Sequence, residues 1–169
     1  METSEAAPLP PTPVGSDGSA ARAPLRVVHL IVGLAVGGAE RALVRLIEDT
    51  RGTAVHTVLV LTDIDAMAGP MLAAGAQVRH IGSRRGRISL ALVRAACTAI
   101  VQARPDVVHA WMWHACALWS ACSFDPRVRR VPCVWGIRAS LERGDAPSLS
   151  SRLALRAARM GSGRAEAIV

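Results

Sequence analysis

The stretch HLIVGLAVGGAERALVRLIED, from His29 to Asp49, begins as a strand and ends as a helix. Its opening HLIV is apolar and partly β-branched, which is typical of a buried strand. Its second half has apolar residues at helical spacing, namely Ala39, Ala42, Leu43, Leu46 and Ile47. The turn between the two halves contains Gly33, Gly37 and Gly38. Because glycine lacks a Cβ and a helix N-terminus attracts anions, this turn predicts close approach of the backbone to a phosphate. A tight turn with no ligand is the alternative interpretation.

Strand-like and helix-like segments alternate along the rest of the chain. Short, mostly uncharged strands are predicted at 26–32, 55–61, 77–82, 106–111, 132–137 and 166–169. Helices are predicted from residue 39 to 49 and at about 88–103, 112–123 and 148–160. Near-continuous apolar strands are typical of a parallel sheet that is covered on both faces. The pattern therefore predicts an α/β fold with an open, doubly wound parallel sheet of the Rossmann-like kind.

The chain begins with a segment of different composition. Residues 1–24 contain five of the ten prolines, together with Gly, Ser and Ala, and are predicted to be a disordered leader. They contain no basic-then-apolar run of the kind that forms a secretory signal. Residues 25–169 are predicted to form one domain, and the location is predicted to be cytoplasmic, with the inner face of a membrane left open.

Composition excludes several kinds of site. The chain contains 20 arginines and no lysine. Neither a P-loop lysine nor a Schiff-base lysine can therefore exist in it. The G-x3-GG spacing also differs from the dinucleotide G-x-G-x-x-G. Aromatic residues are only 3% of the chain and the arginines are scattered, so no nucleic-acid partner is expected. The four cysteines lie in apolar surroundings without a CxxC pair and are predicted to be buried free thiols, and no metal is expected.

Residues that follow the predicted strands are the candidates for ligand contact. In a doubly wound sheet, ligands bind beyond the carboxyl ends of the strands. Beside Gly37 and Gly38, this criterion selects Trp111, Gly136 and Arg138. Trp111 could stack on a ring of a ligand or pack in the core, and Arg138 could clamp a phosphate or form a structural ion pair.

Several segments, in their order and spacing, carry a family resemblance. HLIVGLAVGGAERALVRLIED, HTVLVLTD, LAAGAQVRHIG, RPDVVHAWMWHA and PCVWGIRASL together resemble the N-terminal domain of subfamily 4-like glycosyltransferases of family 4, which have the GT-B fold. The resemblance covers about residues 25–169. It implies retaining transfer of a sugar from a nucleotide-sugar to a sugar, lipid-linked or small-molecule acceptor, without a cofactor or a metal.

The resemblance also implies a division of labour between two domains. The N-terminal domain holds the acceptor, and Gly37 and Gly38 match its glycine-rich loop, which faces the donor phosphates. The donor-binding C-terminal domain has no counterpart in residues 1–169, so the chain is interpreted as a fragment that needs this domain in cis or in trans. Alone it is expected to be inactive or nearly so. The alternatives are a non-catalytic binding module and one chain of a two-chain transferase.

Histidine is where this sequence departs from the family. Many members have a histidine just after the fifth strand, but this chain has Gly136 and Arg138 there and no histidine. His109 and His114, in HAWMWHA, are the remaining candidates for acid–base catalysis. His109 lies inside a predicted strand, where a core or hydrogen-bonded role is the alternative. Retaining GT-B chemistry can also proceed without a protein base.

Overall fold

A computed structural model describes residues 23–82, 88–137, 156 and 162–169. Strands and helices alternate along these ranges, as the sequence predicts. The strands are Leu25–Ile31 (β1), Ala54–Val60 (β2), Gln77–His80 (β3), Val107–Trp111 (β4), Cys133–Gly136 (β5) and Ala167–Ile168 (β6). The helices are Gly38–Asp49 (α1), Ala68–Ala73 (α2), Leu90–Ala103 (α3) and Met112–Cys122 (α4), and a 3-10 turn at Ser162–Arg164 precedes β6.

The strands form one parallel sheet in the order β3-β2-β1-β4-β5-β6. This is the order of the doubly wound Rossmann fold, and the predicted fold class is confirmed. The direction of strand addition reverses between β1 and β4, so these two central strands flank the topological switch point. In the register of the sheet, His29 of β1 is opposite His109 of β4 and Val58 of β2.

The sheet has an apolar core on each face. Alternate residues of β1, such as Val28 and Leu30, belong to the core on the α3 and α4 side. Ile31 belongs to the core on the side of α1 and α2. Burial on both faces explains why the strands read as near-continuous apolar runs instead of alternating.

Helix ends follow from local sequence. The side chain of Ser89 accepts a hydrogen bond from Leu92 N (3.2 Å) and caps the start of α3. Arg104 ends that helix in the left-handed region (φ 47°), immediately before Pro105, which cannot continue a helix. At the end of α1, Thr50 Oγ1 donates to Leu46 O (2.5 Å).

The structure corrects two details of the predicted elements. Helix α2 was not predicted, because its six residues are too few to show a helical repeat and include a glycine and a proline. Strand β3 ends at His80, two residues earlier than predicted, and Gly82 takes a left-handed conformation (φ 74°) that a strand cannot adopt. The other strand limits differ from the predicted ones by at most one residue.

Other sequence predictions have different outcomes. All four cysteines are free and buried, as predicted. The predicted helix over 148–160 lies outside the described residues except for Arg156, and the predicted leader lies outside them up to residue 22. The domain limits therefore stay a prediction. In the part of the chain that the structure describes, no helix combines the length and the apolar character needed to cross a bilayer.

Candidate functional site at the switch point

The candidate site is the carboxyl edge of the sheet where β1 and β4 lie side by side. Because the strands are parallel, the loop after β1 and the turn after β4 leave the sheet at the same edge. A crevice at such a reversal is where open α/β sheets bind ligands. The glycine turn and the segment from Trp111 to His114, both singled out from the sequence, are thus brought to one place.

The first half of the loop after β1 is fixed to the loop after β2. Thr62 donates both its backbone N–H and its hydroxyl to Val32 O (2.7 Å each), and Leu34 N donates to Asp63 O (3.2 Å). A Cβ on Gly33 would lie 3.0 Å from Thr62 Oγ1, so the close approach of the two loops requires glycine here. Leu34 is fully buried and anchors the loop in the core, so a defined backbone leads into the glycine pair.

The second half of the loop presents the N-terminus of α1. Gly37 is the N-cap residue in extended conformation and offers no side chain for capping. The first intrahelical bond runs from Arg41 N to Gly37 O (3.2 Å), which leaves the N–H groups of Gly38, Ala39 and Glu40 without an intrahelical acceptor. A Cβ on Gly38 would meet nothing within 4 Å. The fold of the described residues therefore does not explain why position 38 is a glycine.

Gly37 has a neighbour that Gly38 lacks. A Cβ at Gly37 would meet the carboxylate of Glu40, the end of a flexible side chain that could move aside. A carboxylate in the first turn interacts favourably with the helix dipole. The start of α1 therefore combines N–H donors with an adjacent acceptor, the carboxylate of Glu40. This pairing suits sugar hydroxyls, which both donate and accept hydrogen bonds. A phosphate bound at the same place would be repelled to some extent by the charge of Glu40.

At the end of β4, three of the sequence-selected residues form one contact group. The rings of His109 and Trp111 have centroids 4.2 Å apart at an interplanar angle of 30°. A Cβ on Gly136 of the neighbouring strand would lie 2.7 Å from His109 Nε2 and 3.5 Å from Trp111 Cε3. Gly136 thus provides the space that the His109 ring occupies. Trp111 is only 3% exposed and His109 is half-buried, and their roles in substrate binding or catalysis stay predictions.

The turn from β4 into α4 is strained. Met112 has φ 63°, a left-handed conformation that is uncommon for a residue with a side chain. His114 follows in the first turn of α4, is half-buried, and its pKa is lowered by that burial. Its imidazole is therefore neutral near pH 7 and able to accept a proton. The remaining candidate from this edge, Arg138, lies outside the described residues.

Sequence reasoning missed a buried polar group beneath this edge. His29 Nε2 lies 3.0 Å from His56 Nδ1, and His56 Nε2 lies 2.8 Å from Thr50 Oγ1. Trp111 Nε1 donates to His29 Nδ1 (3.3 Å). A signal was present, because three of the otherwise apolar strands each contain one histidine, His29, His56 and His109.

The electrostatics of this group favour neutral imidazoles. Burial, and then the proximity of His109 and His56, lowers the pKa of His29 well below its usual value. Burial also lowers the pKa of His56. Within the described ranges, no three His, Cys, Asp or Glu side chains are arranged to hold a metal ion. These histidines therefore act as hydrogen-bonding groups, and the expectation of no metal stays a prediction.

A cavity at the opposite edge of the sheet does not coincide with the candidate site. It has a volume of about 260 Å³ and lies beside the amino-terminal halves of β1 and β2 and the end of α3. Arg26, at its rim, donates to Ala103 O from Nε and Nη2 (3.0 and 2.6 Å). Asp106 accepts a hydrogen bond from Arg26 N (2.8 Å). These polar groups stabilise the amino edge of the sheet.

Comparison with known proteins identifies the class to which this fold and site belong. The sequence model of Glycosyltransferase Family 4 matches residues 36–169, which is most of the chain. The chain therefore belongs to glycosyltransferase family 4, as the resemblance implied. No curated protein matches the chain in sequence.

Solved structures with the same fold include those of Anabaena Alr3699/HepE. The complex of HepE with UDP matches with a TM-score of 0.64 at 21% identity, covering 85% of this chain and 37% of HepE. The complex with UDP and glucose matches with a TM-score of 0.60 at 20% identity, covering 80% of this chain and 36% of HepE. The complex with UDP-glucose gives 0.59 at 20%, covering 79% and 35%. The chain thus spans little more than a third of the length of HepE.

Proposed function

We propose that this chain supplies the acceptor-side domain of a glycosyltransferase, which moves a sugar from a nucleotide-sugar to an acceptor with retention of configuration. The observation that carries the proposal is the family 4 match over residues 36–169, which includes Gly37 and Gly38 of the glycine turn and the end of β4 at the switch point. The HepE complexes with UDP, with UDP and glucose, and with UDP-glucose support a nucleotide-sugar as donor. The acceptor is a sugar, a lipid-linked sugar or a small molecule.

The N–H groups at the start of α1 would contribute by stabilising charge. When a nucleotide-sugar reacts, negative charge grows on the leaving phosphate, and preorganised donors at that point lower the barrier. The exposed N–H of Gly38 and its neighbours are such donors, and the missing Cβ of Gly38 leaves room for a ligand. His109 and His114 would serve the acceptor hydroxyl, His114 with a neutral imidazole, and no cofactor is needed.

The same edge has apolar side chains that the described residues leave uncovered. Val36 is 61% exposed in the loop after β1, and Ile64 is 50% exposed just after β2. Their exposure supports a donor-binding domain that covers this edge, in cis or as a second chain. The enzyme would act in the cytoplasm, and peripheral contact with the inner face of a membrane would fit a lipid-linked acceptor.

Titration with UDP-glucose, followed by NMR of backbone amides in the ¹⁵N-labelled chain, tests the proposal. Amide shifts are expected at Gly37–Glu40 and at Trp111–His114. Gly38→Ala is the matched variant, because its Cβ meets nothing in the chain, and it should keep the fold and lose most of the shift at α1. Gly163→Ala, in the 3-10 turn before β6 and also with open space at the Cβ position, is the control and should bind like the unmodified chain. Absent shifts, or equal shifts in both variants, would contradict the proposed contact between the donor phosphates and the start of α1.

Glu40→Gln distinguishes the two chemistries that the helix N-terminus can serve. If a phosphate binds there, removing the carboxylate charge should strengthen binding of UDP-glucose. If a sugar hydroxyl donates to Glu40, the variant should bind more weakly. Unchanged affinity would show that no part of the ligand lies near Glu40.

Activity of the chain alone gives a separate test. Because the donor-binding domain is needed to complete the site, the purified chain should transfer sugar at a negligible rate. Turnover at an ordinary enzyme rate, about 1–1000 per second, would show that residues 1–169 contain a whole active site.

A further inference from the structure

A continuous chain of hydrogen bonds crosses the α1 side of the sheet. It begins at Trp111 at the switch point and passes through His29 and His56. It then reaches Thr50, which closes α1, and ends on the carbonyl of Leu46. His29 and His56 are 0% and 4% exposed, so water cannot replace these partners.

The two ends of the chain fix the position of each proton. The indole N–H can only donate, so His29 Nδ1 must be an acceptor without a proton. A neutral His29 then has its proton on Nε2 and donates it to His56 Nδ1. By the same reasoning, His56 has its proton on Nε2 and donates to Thr50 Oγ1, whose own proton goes to Leu46 O. Every bond therefore runs in one direction, from Trp111 to Leu46.

Trp111 connects this chain to His109. The two rings are in contact, and His109 also lies 5.6 Å from His29 between ring centroids. On its other side, the His109 ring lies against Gly136, where the missing Cβ leaves room for it. A rotation of the Trp111 indole would break its bond to His29 and remove the surface against which His109 packs.

We propose that Thr50, His56 and His29 are positioning residues, which hold Trp111, and through it His109, in one orientation at the switch point. A change in hydrogen bonding at the end of α1 is transmitted along the chain to that edge. The importance of this orientation for sugar transfer rests on the proposed function, whereas the chain of bonds and its direction do not. Buried polar networks of this kind stabilise one arrangement because each unpaired member would be costly.

NMR of the unmodified, ¹⁵N-labelled chain tests the direction. Both His29 and His56 should show a protonated Nε2 and an unprotonated Nδ1. A coupling across the hydrogen bond should link His29 Nε2 with His56 Nδ1. A proton on Nδ1 of either histidine, or the absence of that coupling, would overturn the proposal.

A pair of variants at Thr50 tests the transmission. Thr50→Val keeps the shape of the side chain and removes the acceptor for His56, whereas Thr50→Ser keeps the hydroxyl. Thr50→Val should shift the indole N–H resonance of Trp111, and Thr50→Ser should leave it near its original position. A Trp111 resonance that is unchanged in a folded Thr50→Val would overturn the proposal, because a purely local role predicts that result. If Thr50→Val does not fold, Thr50→Ala is read in the same way, and the coupling in the unmodified chain still decides.

These measurements use neither donor nor acceptor. Failure of UDP-glucose to bind would therefore contradict the proposed donor contact at α1 and leave the positioning chain intact. The reverse outcome, binding of UDP-glucose with the opposite histidine tautomers, would contradict the positioning chain alone.

Discussion

Gly136→Ala is expected to destabilise the chain through one identifiable contact. The new Cβ would lie 2.7 Å from His109 Nε2, a separation that real Cβ atoms essentially never show. The His109 ring cannot move away freely, because it packs on Trp111, which is itself buried and bonded to His29. Overpacking of this kind costs about 1–3 kcal/mol.

The opposing effect is small and can be subtracted. Gly136 lies in a strand and is not among the described glycines with positive φ, so alanine fits its backbone. At such positions, Gly→Ala stabilises by about 0.4–1 kcal/mol through the unfolded state. We therefore expect a net loss of about 1–2 kcal/mol in the free energy of unfolding. In a chain of this size, each kcal/mol lowers the melting temperature by about 2–4 °C.

A double-mutant cycle with His109→Ala assigns the effect. Urea unfolding of the single and double variants gives the coupling between the two positions. In the His109→Ala background the contact is gone, so Gly136→Ala should be neutral or stabilising. Gly163→Ala, where the Cβ meets nothing within 4 Å, controls for the general effect of the substitution. An equal cost of Gly136→Ala in both backgrounds would refute the argument, as would no cost in the unmodified chain.

Three further predictions follow from burial and backbone conformation. Burial lowers the pKa values of His29 and His56 in the folded chain. The stability that depends on their neutral forms is therefore fully present above the unfolded pKa of about 6.5 and is lost as the pH falls toward the folded pKa. The urea midpoint should decrease below about pH 6.5, and a constant midpoint would contradict this prediction. Burial raises the pKa of Cys116 to about 12 and also raises that of Cys122. The cysteines should therefore not react with an aromatic disulfide reagent until urea unfolds the chain. Rapid labelling of the folded chain would show that they are accessible. Because Met112 has φ 63°, Met112→Gly should be more stable than Met112→Val by about 1–2 kcal/mol, and equal urea midpoints would show that the turn is not strained.

The sheet could be predicted because its signal is repeated. Parallel strands are buried on both faces, so each of them is an apolar run that can be identified from its own sequence, without knowledge of the neighbouring strand. Helix α2 could not be predicted in this way, since a helix of six residues does not complete two turns. The strand order, and with it the switch point, depends on crossovers that the sequence does not display.

The candidate site was predictable by position and not by contact. The rule that ligands gather beyond strand ends selected Trp111 and Gly136, which do lie together. It could not show that Gly136 makes room for a histidine, because that reason involves the neighbouring strand. Nor could it select His29, which lies within β1 and reaches the edge through the indole of Trp111.

The parallel arrangement of the sheet determines how the protein should be attached to a solid support. Leu25 begins β1 at the amino edge, whereas Val169, which donates to Trp135 O and accepts from Ile137 N, lies beside the carboxyl edge. A linker joined at Val169 would emerge at the same edge of the sheet as the glycine turn, three strands along from β1, and could approach a ligand there. Attachment through the N-terminal side enters the sheet at the far edge, so surface-binding measurements should use N-terminal immobilisation.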